Sequence, residues 1–260
     1  MIYIVYTVLS FNMIKVPFDA GANKRGSSLF PDILEAKMNP TKSFNIKVTT
    51  PRETFGNVYF KVWETLTSKS MPMTVGGDHS VAIPSIFASN TYCQSLGEKL
   101  GVLWLDAHAD FNTIETSPTK NLHGVPVSVL CGHTMTSLMY GNALETNQFA
   151  YYGLRDLDCL EFDRFQKHNM HILSSYIELK KWTKMYDKIH ISFDVDCLDP
   201  SVMPSVNTPV QDGLDLKTVS NIFKTVYNTE KLLSIDVVEF NPLISETPLD
   251  DISNLLLPYV

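Results

Sequence analysis

At 260 residues, 44% hydrophobic and 19% charged, the chain has an ordinary globular composition and is long enough to form one α/β domain over residues 1–260. Its 21 basic and 28 acidic residues leave a net charge of -7, which argues against nucleic acid or an acidic membrane surface as a partner. No stretch reaches the roughly 18 uninterrupted apolar residues of a membrane span.

Strand-like and helix-like segments alternate along the chain. Met1 to Phe18 is rich in Tyr, Ile and Val, with no basic residue before Lys15 and no small-residue cleavage pattern, so it reads as a buried first strand rather than a secretion signal. Thr50 and Glu53 form a capping box with Pro51 at the first helical position, predicting a helix from Pro51 to Thr67. Phe55, Val58, Tyr59, Val62 and Leu66 make its apolar stripe. A strand over Met71–Val75 leads into Gly76-Gly77-Asp78-His79-Ser80. A second, Val102–Leu105, leads into Asp106-Ala107-His108-Ala109-Asp110. Phe149–Leu154 opens onto Arg155-Asp156-Leu157-Asp158, and Ile189–Phe193 onto Asp194-Val195-Asp196. A helix from Leu216 to about Thr229, with Asp215 as N-cap, precedes the strand Leu232–Val238, which ends at Glu239-Phe240-Asn241-Pro242. Thr247 is the expected cap of a last helix. The alternation predicts a mostly parallel sheet covered on both faces.

Six side chains with metal-ligand chemistry lie at three of these strand ends: His79; Asp106, His108 and Asp110; Asp194 and Asp196. Side chains at i and i+2 leave one face of an extended chain, so each group can converge. Four carboxylates and two imidazoles are too many for a closed structural zinc site, which typically has four ligands, mostly Cys and His. An oxygen-rich set suits one or two harder divalent ions, and manganese fits well. In open α/β sheets ligands collect at the carboxyl ends of strands, so five polar strand ends point to one crevice. Cys93, Cys131, Cys159 and Cys197 form no C-x-x-C pair and read as free thiols of a reducing compartment, the cytoplasm. His133, His168, His171 and His190 match no motif and read as core or surface residues.

From Val16-Pro17-Phe18-Asp19-Ala20-Gly21 to Asn241-Pro242 the chain resembles the arginase family of ureohydrolases. Gly-Gly-Asp-His-Ser, Asp-Ala-His-Ala-Asp, Ser-Phe-Asp-Val-Asp-Cys-Leu-Asp-Pro and Val-Glu-Phe-Asn-Pro carry the resemblance, in order and with their spacing. It implies a three-layer α/β/α sandwich around a mostly parallel sheet. It also implies two Mn2+ ions, with Co2+ or Ni2+ as alternatives. One would be held by His79, Asp106, Asp110 and Asp194, the other by His108, Asp106, Asp194 and Asp196. A hydroxide bridging them would attack the guanidino carbon of L-arginine and release urea and L-ornithine. Asp110 would hold that hydroxide, His123 in Asn121-Leu122-His123-Gly124 would protonate the leaving amine, and Glu239 would pair with the guanidinium.

For the amino-acid head the resemblance implies Asn112 and Thr119 as partners of the α-carboxylate. Asp158, with Asp156 and Glu161 near it, would receive the α-ammonium, and Asn121 and Thr208 would complete the substrate-binding set. Neutral donors for one end and acids for the other suit a zwitterion, and agmatine would leave Asn112 and Thr119 unused. A homo-oligomer, often a trimer, is usual in the family, built partly from a C-terminal region longer than the 18 residues that follow Pro242 here. Other departures are Phe30 for a usual Gly, Glu35 for a basic residue, Thr119 for Ser, Asn207 for Gly, and Gln211-Asp212-Gly213 for a Gly pair. Two alternatives remain in view: an agmatinase or other guanidino-compound hydrolase, and a non-catalytic arginine-binding protein, since fold does not dictate function.

Overall fold

The computed structural model describes residues 11–245 and 249–259. Its eight strands are β1 (Phe11–Val16), β2 (Ser43–Asn45), β3 (Met71–Gly76), β4 (Leu100–Leu105), β5 (Phe149–Tyr152), β6 (His171–Ile172), β7 (Lys188–Asp194) and β8 (Leu232–Val238). They form one sheet in the order β2-β1-β3-β8-β7-β4-β5-β6, and every pairing is parallel. The helices among the described residues are α1 (Phe30–Met38), α2 (Pro51–Thr67), α3 (Ala82–Ser95), α4 (Pro126–Leu130), α5 (Cys159–Lys167), α6 (Tyr176–Trp182), α7 (Leu216–Tyr227) and α8 (Asp250–Leu256).

Alternation along the strands sorts the core into two layers. Leu103 and Leu105 of β4 face one side with Ile189, Ile191 and Phe193 of β7, under Leu34 of α1, Trp182 of α6, Phe223 of α7 and Ile252 of α8. Val102 and Trp104 face the other, under Phe55 and Val58 of α2, Ile86 and Phe87 of α3, Val127 of α4 and Phe165 of α5. Both faces are therefore buried, as a parallel sheet requires, and the three-layer sandwich is the fold observed.

Local chemistry explains several boundaries. Thr50 accepts the Glu53 backbone N–H at 3.3 Å and starts α2 with Pro51 at its first turn. Asp215 does the same for α7, accepting the Thr218 N–H at 2.6 Å. The expected first strand is described only from Phe11, and the Thr247 cap lies outside the described residues. Among the described residues no helix is long and apolar enough to cross a membrane.

Glu35, one of the departures from the family pattern, has a local reason. Lys15 on β1 is only 6% exposed, and its ammonium donates to Asp32 at 2.8 Å and, very closely, to Glu35 of α1. Burial opposes the Lys15 charge, but the two carboxylates outweigh it and raise its pKa, while the bond from Lys15 lowers that of Glu35. A raised Lys contributes stability below its ordinary value and loses it as pH rises through the folded one; a lowered Glu loses its contribution as pH falls through its folded value. Lys15→Met should therefore cost about 1–2 kcal/mol near neutral pH, since both acids keep some water. Urea titrations at acid pH should show that difference shrinking once Glu35 protonates; a difference independent of pH would contradict the pairing.

Candidate metal centre and cleft

Five consecutive strands, β3-β8-β7-β4-β5, end side by side, and their following residues build the site. The close approach begins at Gly77: a Cβ there would lie 2.2 Å from the Phe18 carbonyl oxygen, so only glycine lets the two chains run together. Asp78, fully buried, then accepts the Gly21 N–H at 2.7 Å and the Ser80 N–H at 3.0 Å and starts a short turn that presents His79. The His79 ring stacks on Trp104 with centroids 4.2 Å apart and planes 8° from parallel, and its Nε2 lies 2.9 Å from Ser192 Oγ.

With the ring held on both sides, Nδ1 points at three carboxylates. Asp106 Oδ2 lies at 3.0 Å, Asp194 Oδ2 at 3.1 Å and Asp110 Oδ2 at 3.3 Å, yet Nδ1 makes no hydrogen bond of acceptable geometry. A second set adjoins it: His108 Nδ1 lies 3.4 Å from Asp106 Oδ1 and 3.1 Å from Asp196 Oδ2. Asp106 gives one oxygen to each set. His79, Asp106 and Asp194 form one group whose ligand atoms are close enough for a single cation, and Asp106, His108 and Asp196 form another. An unpartnered buried imidazole nitrogen facing several carboxylate oxygens is what a divalent cation would complete, so the residues fit such an ion.

The route to this convergence differs from simple i, i+2 alternation. Asp110 has a left-handed backbone, φ +49°, so its carboxylate swings in from a turn and not from a continuing strand. Asp196 lies in a 3-10 turn, Val195–Cys197, where Asp194 Oδ1 accepts its N–H at 2.8 Å. Glu239 follows β8 with φ +71°. Non-glycine residues in this region are uncommon, and two within one site mark backbone strain held by the surrounding structure.

Glu239 faces the cleft opposite the ligand sets. Its Oε1 accepts the His79 N–H at 2.8 Å and lies 3.0 Å from His123 Nδ1, while Oε2 is buried without a partner. The His123 main chain is held by the Gly21 carbonyl at 3.2 Å. The cleft encloses a cavity of about 250 Å3. His79, His108, Asp110, Asn112, Thr119, His123, Asp156, Asp158, Glu161, Asp194, Asp196, Thr208 and Glu239 all line it. Of the residues expected at the site, Asp106 sits behind that lining at 1% exposure, and Asn121 stands beside it with Nδ2 3.4 Å from His123 Nε2. Ser117, Pro118 and Gly124 line the cleft without having been singled out in the sequence.

At the outer end the side chains are tied to one another. Asn112 Nδ2 donates to Asp158 Oδ2 at 2.7 Å, and Asp158 Oδ1 caps α5 through the N–H groups of Leu160 and Glu161 at 2.9 Å. Glu161 accepts the N–H groups of Phe111 at 2.7 Å and Asn112 at 3.1 Å, so it braces the loop that carries Asn112. Asp156 Oδ2 lies 3.6 Å from His108 Nε2.

The remaining histidines serve elsewhere. His190 is satisfied at both nitrogens, by Ser234 at 2.7 Å and Asp236 at 2.8 Å, and Ser85 donates to the other Asp236 oxygen. His133 and His168 lean on each other beside Phe111 at 4.7 Å between centroids, and His171 is exposed on β6. The contrast is diagnostic: the His190 cluster is closed, whereas the His79 cluster leaves His79 Nδ1 and Glu239 Oε2 open. A larger cavity of about 400 Å3, beside Leu100 and Tyr186 at the opposite end of the sheet, has no such His and Asp cluster.

Charge in the metal-free cleft is carried unevenly. Burial raises Asp110 and Asp194 well above the ordinary carboxylate range, and neighbouring carboxylates add to it. Burial also opposes ionisation of Asp106, but the adjacent His108 and His79 rings outweigh it and hold its carboxyl low. For His79, burial favours the neutral ring, yet Asp106 and the other acids push it up to about 9.

Comparison with known proteins gives a consistent picture. The family model described as "Arginase family" matches residues 10–253. Arginase of Neurospora crassa is 38% identical over 66% of this chain, and the match spans 54% of that relative's length. Arginase of Schizosaccharomyces pombe is 30% identical over 90% of this chain and 84% of its own. Among solved structures, Entamoeba histolytica arginase in complex with L-ornithine superposes with a TM-score of 0.82 at 27% identity, covering 95% of this chain and 99% of that one.

A ligand nitrogen must be unprotonated to bind a cation, so binding at the His79 set displaces protons near neutral pH. Manganese affinity at the His79 set should therefore rise with pH until pH is above about 9, where His79 is mostly neutral. Calorimetric titration in buffers of different ionisation enthalpy should show release of at least one proton per bound ion near neutral pH. A buffer-independent enthalpy would contradict the protonated metal-free site.

Proposed function

The chain belongs to the arginase family, and on that premise we propose that it hydrolyses the guanidino group of L-arginine to urea and L-ornithine. One observation carries this reading most of the way: Glu239 Oε2, a buried carboxylate oxygen with no partner, faces the cleft lined by both ligand sets. A buried carboxylate without a donor is costly, and a guanidinium N–H is the group best shaped to relieve it.

Two divalent ions, manganese in this reading, would be held by His79, Asp106, Asp110 and Asp194 and by His108, Asp106, Asp194 and Asp196. The chemistry that such a pair supplies is ionisation of water near neutral pH. The chain's own groups do the rest. Glu239 accepts the guanidinium through Oε2 and fixes its plane, while its Oε1 anchors His123. Asp110 is available to take up the nucleophile's proton at its carboxylate. Burial opposes the charge of His123, but Glu239 outweighs it and raises the imidazole's pKa, so the ring keeps its proton to higher pH than an ordinary imidazole. With Nδ1 bonded to Glu239, Nε2 is the nitrogen left to protonate the departing amine.

At the mouth, Asn112 and Thr119 serve the α-carboxylate and Asp158 the α-ammonium, with Asp156, Glu161, Asn121 and Thr208 around them. The bond between Asn112 and Asp158 sets the two receptors side by side, as the head of an α-amino acid requires. We also place the protein in the cytoplasm as a homo-oligomer; the four free cysteines are in keeping with a reducing compartment.

The test is urea release from L-arginine and agmatine in parallel, with manganese and after chelation. Manganese-dependent urea from arginine is expected, with agmatine turned over far less. Equal turnover would remove Asn112, Thr119 and Asp158 from the specificity argument, and no urea from either would overturn the hydrolase reading. His123→Asn should lower kcat roughly 100-fold with a much smaller change in KM, the range expected for loss of a general acid. The wild-type kcat should fall on the alkaline side as His123 loses its proton. An unaltered kcat profile in the variant would end the proton-donor assignment.

A further inference from the structure

The half of the ligand set formed by His108 and Asp196 rests on a side chain that touches neither the substrate cleft nor a ligand atom. Arg155 follows β5, is half-buried, and its guanidinium donates to six main-chain carbonyls. Nη1 reaches Gly153 O at 3.0 Å and Cys197 O at 3.2 Å. Nη2 reaches Asp196 O at 2.9 Å, Leu198 O at 3.3 Å and Val210 O at 2.8 Å, and Nε reaches Gln211 O at 3.0 Å. Three separate segments therefore meet on one planar fork: the end of β5, the turn that carries Asp196, and the loop that carries Thr208. A guanidinium presents five N–H donors in fixed directions, which an ammonium does not.

Two of those segments meet again at the ligand. Thr208 Oγ1 donates to Asp196 Oδ2 at 3.2 Å, the same oxygen that lies 3.1 Å from His108 Nδ1. Arg155 thus holds both the main chain of Asp196 and the loop whose hydroxyl aims its carboxylate. The loop needs that support. Asp212 occupies a left-handed conformation, φ +62°, that costs a non-glycine residue, and a Cβ on Gly213 would lie 2.4 Å from Asp199 N. The Val210 and Gln211 carbonyls that enter this turn are two of the six that Arg155 takes.

We propose that Arg155 is a positioning residue for the cation site formed by His108 and Asp196, acting through the Asp196 turn and the Thr208 loop. The proposal rests on the two-metal reading above. It also predicts selectivity, because the Arg155 guanidinium makes no bond to His79 or Asp110. Groups beyond the ligands that fix ligand geometry typically change metal affinity by 10- to 100-fold when replaced.

Arg155→Lys keeps the charge and loses the fork. Metal-free wild type and variant would be titrated with Mn2+ by calorimetry, with electron paramagnetic resonance reporting the coupled pair. One of the two ions should bind about 10- to 100-fold more weakly in the variant while the other changes less than about twofold. The coupled signal should be lost at manganese concentrations that saturate wild type. Unchanged affinities would overturn the proposal, and so would equal weakening of both ions in step with a lower Tm, the mark of a merely structural role. If the variant does not fold, Thr208→Val, which cuts the loop's own bond to Asp196, should weaken the same single ion; affinities equal to wild type there would also overturn it. A wild-type chain that binds no manganese pair would instead sink the two-metal reading itself, an outcome read before any variant is made.

Discussion

The fold is organised around a concentration of buried negative charge. Asp110, Asp194, Asp196 and Glu239 line one small cleft with Asp106 just behind them, and each is at most 7% exposed. Two like charges about 4 Å apart repel by about 4 kcal/mol at an effective dielectric near 20, a sizeable part of a domain's whole stability. The chain softens this with backbone donors: His108 N–H to Asp106, Asp196 N–H to Asp194, Ala107 N–H to Asp196 and His79 N–H to Glu239. The raised pKa values of His79, Asp110 and Asp194 ease proton uptake there, which relieves more of it. Neither remedy satisfies His79 Nδ1 or Glu239 Oε2, the two atoms that the proposed cation and guanidinium would complete.

Holding such a cluster requires a frame that cannot relax. Two apolar layers clamp the sheet from both faces, so the five strand ends keep their spacing. Close main-chain approach at Gly77 and left-handed residues at Asp110 and Glu239 then aim side chains where extended backbone would not. Two of the strands that carry the open cluster, β7 and β8, also carry a closed one: His190 with Asp236, ringed by Ser85 and Ser234, has every ring nitrogen and carboxylate oxygen paired. Burial of polar groups therefore does not distinguish a site in this protein. An unpaired imidazole nitrogen and an unpaired carboxylate oxygen on residues that line one cleft do.

Much of this was legible in the sequence, for identifiable reasons. The capped amphipathic helices α2 and α7 follow their signals to within two residues, and the ligand residues stand in short motifs directly after apolar runs. Helix α3 gave no stripe because its first nine residues are buried all round, and periodicity reports only a helix with a wet side. The edge strands β2 and β6, of 3 and 2 residues, are too short to show a pattern. Contacts made by main-chain atoms were equally hidden. Nothing in the order of residues says that Arg155 collects six carbonyls, that Asp78 ties Gly21 to the turn before His79, or that Asn112 bonds Asp158. Asn207, which stands where the family usually has glycine, is explained only in three dimensions: its side-chain oxygen accepts from Asn241 Nδ2 at 2.8 Å.

The central claim is that the buried acids exist to hold two cations at the ends of adjacent parallel strands. Anomalous diffraction at the manganese edge, from crystals grown with manganese, tests it most directly. The account predicts two peaks, one against His79 Nδ1 and one against His108 Nδ1, with Asp106 between them. A single peak, or none with metal bound in solution, would contradict it.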